Sequence, residues 1–180
     1  MVNKIKKILS RLERKVIFLF DGINSKKYMK LYNSWLKKQG IQLSGAAKYI
    51  HHTTQLDGVD YTKIKIGTNV VISRDTLVLV HDFSIEAGLL SLNRGNSDNE
   101  ARFIKNVSIG DGSFVGARCV ILPGTDIGKN CIVGAGSVLT GKKYPDYSLI
   151  AGNPARVVGD VREWTKKKID ENQFSYGCII

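Results

Sequence analysis

The sequence predicts a mainly β protein, a parallel β-solenoid with a helical arm at its start and a short helix at its end. A six-residue period over the second half of the chain and an uneven distribution of charge support that reading. From residue 109 the chain reads IGDGSF, VGARCV, ILPGTD, IGKNCI, VGAGSV, LTGKKY, which puts Ile109, Val115, Ile121, Ile127, Val133 and Leu139 in one phase. Gly110, Gly116, Gly128 and Gly134 follow the aliphatics, and Ser113, Cys119, Thr125, Cys131 and Ser137 recur as small residues. An earlier block keeps the phase at Ile66, Ile72 and Val78. A period of six is neither the 3.6 of a helix nor the alternation of a hairpin. It fits a short strand followed by a tight corner. Three such units close a triangular coil, and stacked coils bury an aliphatic column. The glycine after each aliphatic is expected to give the corner its backbone freedom.

In chain order, residues 1–40 read as a basic helical arm. Ile5, Ile8, Leu9, Leu12, Val16, Leu19 and Phe20 follow the i, i+3, i+4 spacing of one helix face, with Lys4, Lys6, Lys7, Arg11, Arg14 and Lys15 on the others. Asp21-Gly22 breaks the pattern. Ser25 is the expected cap of a second helix with Tyr28, Leu31, Tyr32, Trp35 and Leu36 on one side, and Gly40 ends it. Residues 41–160 form the solenoid. Ile66 to Ile109 is 43 residues, seven hexads plus one, so the coil is interrupted, and a protruding loop is expected at about 84–108. Residues 161–180 are a C-terminal helix and tail.

The net charge of +11 belongs mostly to the arm. Residues 1–39 hold 11 Lys and Arg against Glu13 and Asp21, a balance of +9, and residues 40–180 hold 16 against 14 acids, only +2. A basic amphipathic helix can lie on an anionic membrane through residues 1–20, or pack on its own body or a neighbouring subunit. No apolar run is long enough to span a bilayer, and Val16–Phe20 is too short for a secretory signal. Three cysteines without paired spacing fit a reducing cytoplasm, and Cys178 in the ending GCII forms no prenylation box. The arm lacks an aromatic-interleaved platform or reading motif, so nucleic acid is not an expected partner.

The hexads, the segment LPGTDIGKNCIVGAGSVLT and AGNPARVV resemble the left-handed β-helix acyltransferases. Within them the chain most resembles the galactoside, maltose and nodulation O-acetyltransferases and those that acetylate bacterial surface polysaccharides. The resemblance covers roughly residues 50–160. It implies a left-handed parallel β-helix, a homotrimer, and acetyl-CoA-dependent O-acetylation of a saccharide in the cytoplasm or at the inner face of the membrane.

His81 stands where the regular coil ends, before the interruption, and imidazole suits removal of a hydroxyl proton near neutral pH. The resemblance implies a general base before the loop, and Val80-His81-Asp82 matches that place. Asp82 is the carboxylate expected to orient the ring. For the acyl donor, the resemblance implies Ala117 and Ala135 along the pantetheine groove, Thr140 near the donor, Lys142 or Lys143 beside it, and Arg156 by the nucleotide phosphates. Asp57 and Asp60, ahead of the hexads, are candidate contacts to sugar hydroxyls. No metal is expected: adjacent strand residues point to opposite faces, so His51 and His52 should not share an ion. Cys119 and Cys131 read as compact corner residues.

Two other readings stand beside this one. The first is N-acetylation of an amino-sugar or antibiotic, and the second a non-catalytic β-helical scaffold or binding module. The scaffold would need neither His81 beside a polar loop nor the AGNPAR segment.

Overall fold

The protein is described by a computed structural model over residues 2–96, 99–172 and 174–176. Cys178 and the side chains of residues 2–7 lie outside the described residues.

Among the described residues, four three-sided coils and a two-sided fifth stack into a parallel β-helix, each strand only two or three residues long up to the last coil. The first face is built from Gln42–Leu43, Ile64–Ile66, Val107–Ile109, Asp126–Ile127 and Lys143–Tyr144. The second stacks Tyr49–Ile50, Val71–Ile72, Phe114–Val115, Ile132–Val133 and Ser148–Gly152, and the antiparallel strand Ala155–Asp160 closes it. The third holds Gln55–Leu56, Leu77–Val78, Val120–Ile121 and Val138–Leu139. Every aliphatic of the six-residue phase is buried, and Ile50, Leu56, Tyr144 and Ile150 extend the column at both ends. One coil therefore precedes the first hexad that the sequence reveals. Its spacing is irregular because a short helical turn, Tyr61–Lys63, intervenes before Ile64.

The corner chemistry differs from expectation. The left-handed residue lies three places after the aliphatic, at Asn69, Asp75, Gly112, Arg118, Gly124, Asn130 and Gly136, with φ between 53° and 88°. The glycine directly after the aliphatic has a different task. A Cβ on Gly110 would lie 2.5 Å from the Gly128 carbonyl, and one on Gly116 2.6 Å from the Ala135 nitrogen. These glycines let coils stack; they do not turn the chain. The small polar residues complete the corner, Ser113 donating to Gly128 O (2.8 Å), Ser137 to Gly134 O (2.6 Å) and Ser148 to Pro145 O (2.7 Å). Cys119 and Cys131 occupy the same place, and burial pushes both thiols up, away from nucleophilic use.

The arm is a helical hairpin of α1, Val2–Phe18, and α2, Ser25–Gln39. Asn24, one residue before the expected Ser25, caps α2 by accepting the Lys27 N–H at 2.9 Å, and Gly40 closes it at φ +97°. Tyr28, Met29, Tyr32, Trp35 and Leu36 are its buried face. Met29 takes the place expected for Leu31, which stays exposed. The Tyr28 hydroxyl donates to Ile50 O (2.7 Å), seating α2 on the first coil. α1 meets α2 through Ser10, Arg14 and Ile17, leaving most of its apolar row outside.

The interruption leaves the third face after Val78 and rejoins the first at Val107, and Ile66 still pairs with Ile109. The segment expected as loop opens with a helix, α3 (Ser84–Ser91). After the last strand, α4 spans Val161–Asp170.

Candidate active site

The ends of the inserted segment are pinned together. His81–Asp82 pairs antiparallel with Phe103–Ile104, and the Lys105 N–H donates to Val80 O at 2.9 Å. This two-residue ladder holds His81 at the corner between the third and first faces.

One coil above, Asp57 turns its carboxylate toward the same corner, 4% exposed. Its oxygens accept the Val80 N–H (2.9 Å), the Val59 N–H (3.1 Å) and the His81 ring at Nδ1. Burial pulls the Asp57 pKa up. The Val80 N–H, the His81 contact and the Val59 N–H outweigh it, and the group sits below its ordinary value. An ionised carboxylate only accepts, so Nδ1 of His81 is the donor in this pair, and in the neutral ring that leaves the lone pair on Nε2. Phe83 stands edge-on to the imidazole, ring centres 5.3 Å apart. The His81 side chain is 22% exposed, enough to meet a ligand. A held tautomer, an ionised partner and an open Nε2 are what a general base requires.

Two expectations change here. Asp82 does not orient the imidazole: its Oδ1 accepts the Ser84 N–H at 2.7 Å, which holds its carboxyl below the ordinary value and starts α3. Asp57, expected as a contact to sugar hydroxyls, instead turns inward, nearly buried and already accepting three donors, one of them the His81 ring. Proximity in sequence favoured Asp82, whereas the stacking of coils brings Asp57 to the ring from 24 residues away.

The other candidates fall at separate places. Asp82 and Thr140 line one shallow cavity of about 210 Å³ with Lys105 and Pro123. Lys142 is exposed on the strand connection just beyond it. Ala117 and Ala135 stack at the corner between the second and third faces, tied by the Gly136 N–H donating to Ala117 O (2.8 Å). That corner is across the third face from His81. Arg156 is exposed at the C-terminal end of the solenoid, its guanidinium donating to Ala155 O at 3.0 Å. Asp60 caps the Tyr61–Lys63 turn by accepting the Thr62 N–H (3.0 Å), and it rims a cavity of about 530 Å³ with Arg14, Trp35 and Tyr61.

His51 and His52 also depart from expectation. They lie beyond the strand in a turn, so their rings stack 4.4 Å apart on one side. With Asp21 they place three potential ligand atoms within 4.8 Å of one another. Each is already engaged. Asp21 accepts the Tyr49 hydroxyl and meets the His52 ring at Nδ1, both at 2.8 Å, and His51 bonds Thr53 (2.9 Å). The cluster fastens the arm's turn to the first coil.

Residues 106–141 match the family model described as the hexapeptide repeat of succinyl-transferase. Over 107 residues the chain is 32% identical to galactoside O-acetyltransferase of Escherichia coli (strain K12), covering 59% of this chain and 48% of that one. Over 68 residues it is 47% identical to dTDP-3-amino-3,6-dideoxy-alpha-D-galactopyranose 3-N-acetyltransferase of Aneurinibacillus thermoaerophilus, covering 37% and 35%. The chain spans about half the length of the curated relatives it matches, or less. Among solved structures it resembles a galactoside acetyltransferase in complex with coenzyme A, with TM-score 0.55, 20% identity, and coverage of 94% of this chain and 86% of that one. The triangular helix is thus the left-handed β-helix of that fold.

Proposed function

We propose that this chain is an acetyltransferase of the hexapeptide-repeat kind it resembles, transferring the acetyl group of acetyl-CoA directly to a saccharide hydroxyl with His81 as general base. The observation that carries this reading is the buried, ionised Asp57 holding the Nδ1 proton of a half-open His81. Nε2 takes the proton of the acceptor hydroxyl as its oxygen attacks the thioester carbonyl. The new C–O bond forms, the C–S bond breaks, and the imidazolium returns its proton to the departing thiolate. Asp57 stabilises the imidazolium in between. No covalent enzyme intermediate is needed.

The small side chains of Ala117 and Ala135 suit a pantetheine arm lying close to the backbone. Thr140 and Lys142 stand on the His81 side of the third face, and Arg156 offers a cation for the nucleotide phosphates. In one copy these marks straddle a whole face, which a homotrimer would bridge by laying one copy's corner against another's face. The outward rows support that assembly. Val71, Phe114, Ile132 and Leu149 on the second face are apolar, as are Leu77, Val120 and Val138 on the third beyond Gln55 of the first coil, whereas Lys65, Ser108, Asp126 and Lys143 make the first face polar. The acceptor is read as a bacterial surface polysaccharide or its precursor, in the cytoplasm.

His81→Ala should fold as the parent and lose roughly 10²- to 10⁴-fold in turnover. The assay is acetyl-CoA-dependent thiol release over a panel of glycans, lipid-linked sugars and amino-sugar nucleotides. An undiminished rate in the variant would remove His81 from the reaction. Release only with amino-sugars would move the transfer to nitrogen, the chemistry in the Aneurinibacillus relative's name.

A further inference from the structure

Ile8, Leu9, Leu12, Val16 and, just past the end of α1, Leu19 fall within about 100° of one another around the helix axis. In the folded chain they are between 53 and 69% exposed. The opposite side of α1 is the one used by the body. The Trp35 indole N–H donates to Ser10 Oγ at 3.1 Å, Ile17 is buried, Arg14 lies over the Trp35 ring, and Glu13 pairs with Lys38 at 2.8 Å. These contacts fix the rotation of α1, so its apolar row faces outward by construction and not through fraying.

We infer that this row is a docking surface for an anionic lipid bilayer, with α1 lying in the plane of the headgroups. Charge complementarity selects the occupant. Exposed Arg11 and Lys15 border the row, and residues 1–39 carry +9. That is the pattern of a helix that sinks one face among acyl chains and reaches for headgroup phosphates with the other. A second copy is the poorer occupant, since two such rows in contact would bring two +9 arms together. The helix lies on the bilayer and does not cross it, as no described helix is long and apolar enough to span a membrane.

The test uses the full-length protein and sedimented vesicles, and no activity is needed. With phosphatidylcholine vesicles containing about a third phosphatidylglycerol, the protein should co-sediment at low ionic strength. Binding should be roughly tenfold weaker or more on pure phosphatidylcholine, and weaken as salt rises. The double variant Leu12→Gln, Val16→Gln keeps every charge and should also lose roughly tenfold or more. Leu19→Gln, outside the helix, gives a milder loss and guards against misfolding of the double variant. Absence of co-sedimentation by the parent overturns the inference. So does a double variant that binds as the parent does, which would make the attraction charge alone. A parent that ignores vesicles while the double variant shrinks in light scattering would reassign the row to a contact between copies.

Discussion

Asp57 spends a buried negative charge on one ring nitrogen. If that charge is what readies His81, Asp57→Asn should keep the shape of the corner and lower kcat by roughly 10²- to 10⁴-fold, with KM for acetyl-CoA little changed, in steady-state kinetics. The same residue predicts an acid sensitivity. Its carboxyl binds a proton less readily in the folded chain than in the unfolded one. The stability it adds is complete above the ordinary carboxylate range, near about pH 4, and drains away as pH falls through the lower folded value. Denaturant melts at descending pH should show the parent losing stability across that window more steeply than Asp57→Asn. The sequence singles out His81 because the hexad phase breaks beside it. Its pairing with Asp57 is not readable there: Asp57 precedes the visible hexads, and only the stacking of coils tells which carboxylate lies over a given corner.

Between one coil and the next, contact distance decides which residues are fixed. Gly110→Ala places a Cβ against backbone at 2.5 Å, with nothing flexible to give way, and should cost about 1–3 kcal/mol. Gly134→Ala meets its nearest atom at 3.4 Å and should be near neutral. Thermal or denaturant unfolding of the two variants checks the contrast, and equal losses would contradict it. Deleting part of the column by Ile121→Ala should cost about 2–5 kcal/mol. The coils with strict six-residue spacing could be read from sequence alone. The first could not, because Ile50, Leu56 and Ile64 are spaced unevenly around the Tyr61–Lys63 turn. The last disguises its column position with Tyr144.

For the whole molecule, the apolar outward rows of two faces and the polar row of the third predict where copies meet. Phe114→Glu puts a carboxylate at the centre of the second-face row. It should reduce a species of three chain masses toward one in light scattering, and thiol release should fall with it. A parent that is itself a monomer would overturn the shared-site arrangement. The body's near-neutrality and the arm's +9 are visible in composition, whereas the rotation of α1 required its contacts with Trp35 and Lys38.

The inserted segment leaves and re-enters the solenoid without disturbing it. The step from Ile66 to Ile109 is 43 residues where the next coil takes 18 from Ile109 to Ile127, yet both steps end in the same parallel register. A segment of this length is thus accommodated at the corner without a change of register, its base closed by the His81–Asp82 and Phe103–Ile104 ladder. Loop-closure entropy rises only slowly with length, by about 0.6 kcal/mol per doubling. Such a corner is an exchangeable cartridge. Replacing residues 84–102 should leave the His81–Asp57 contact and the register of the stacked coils as they are.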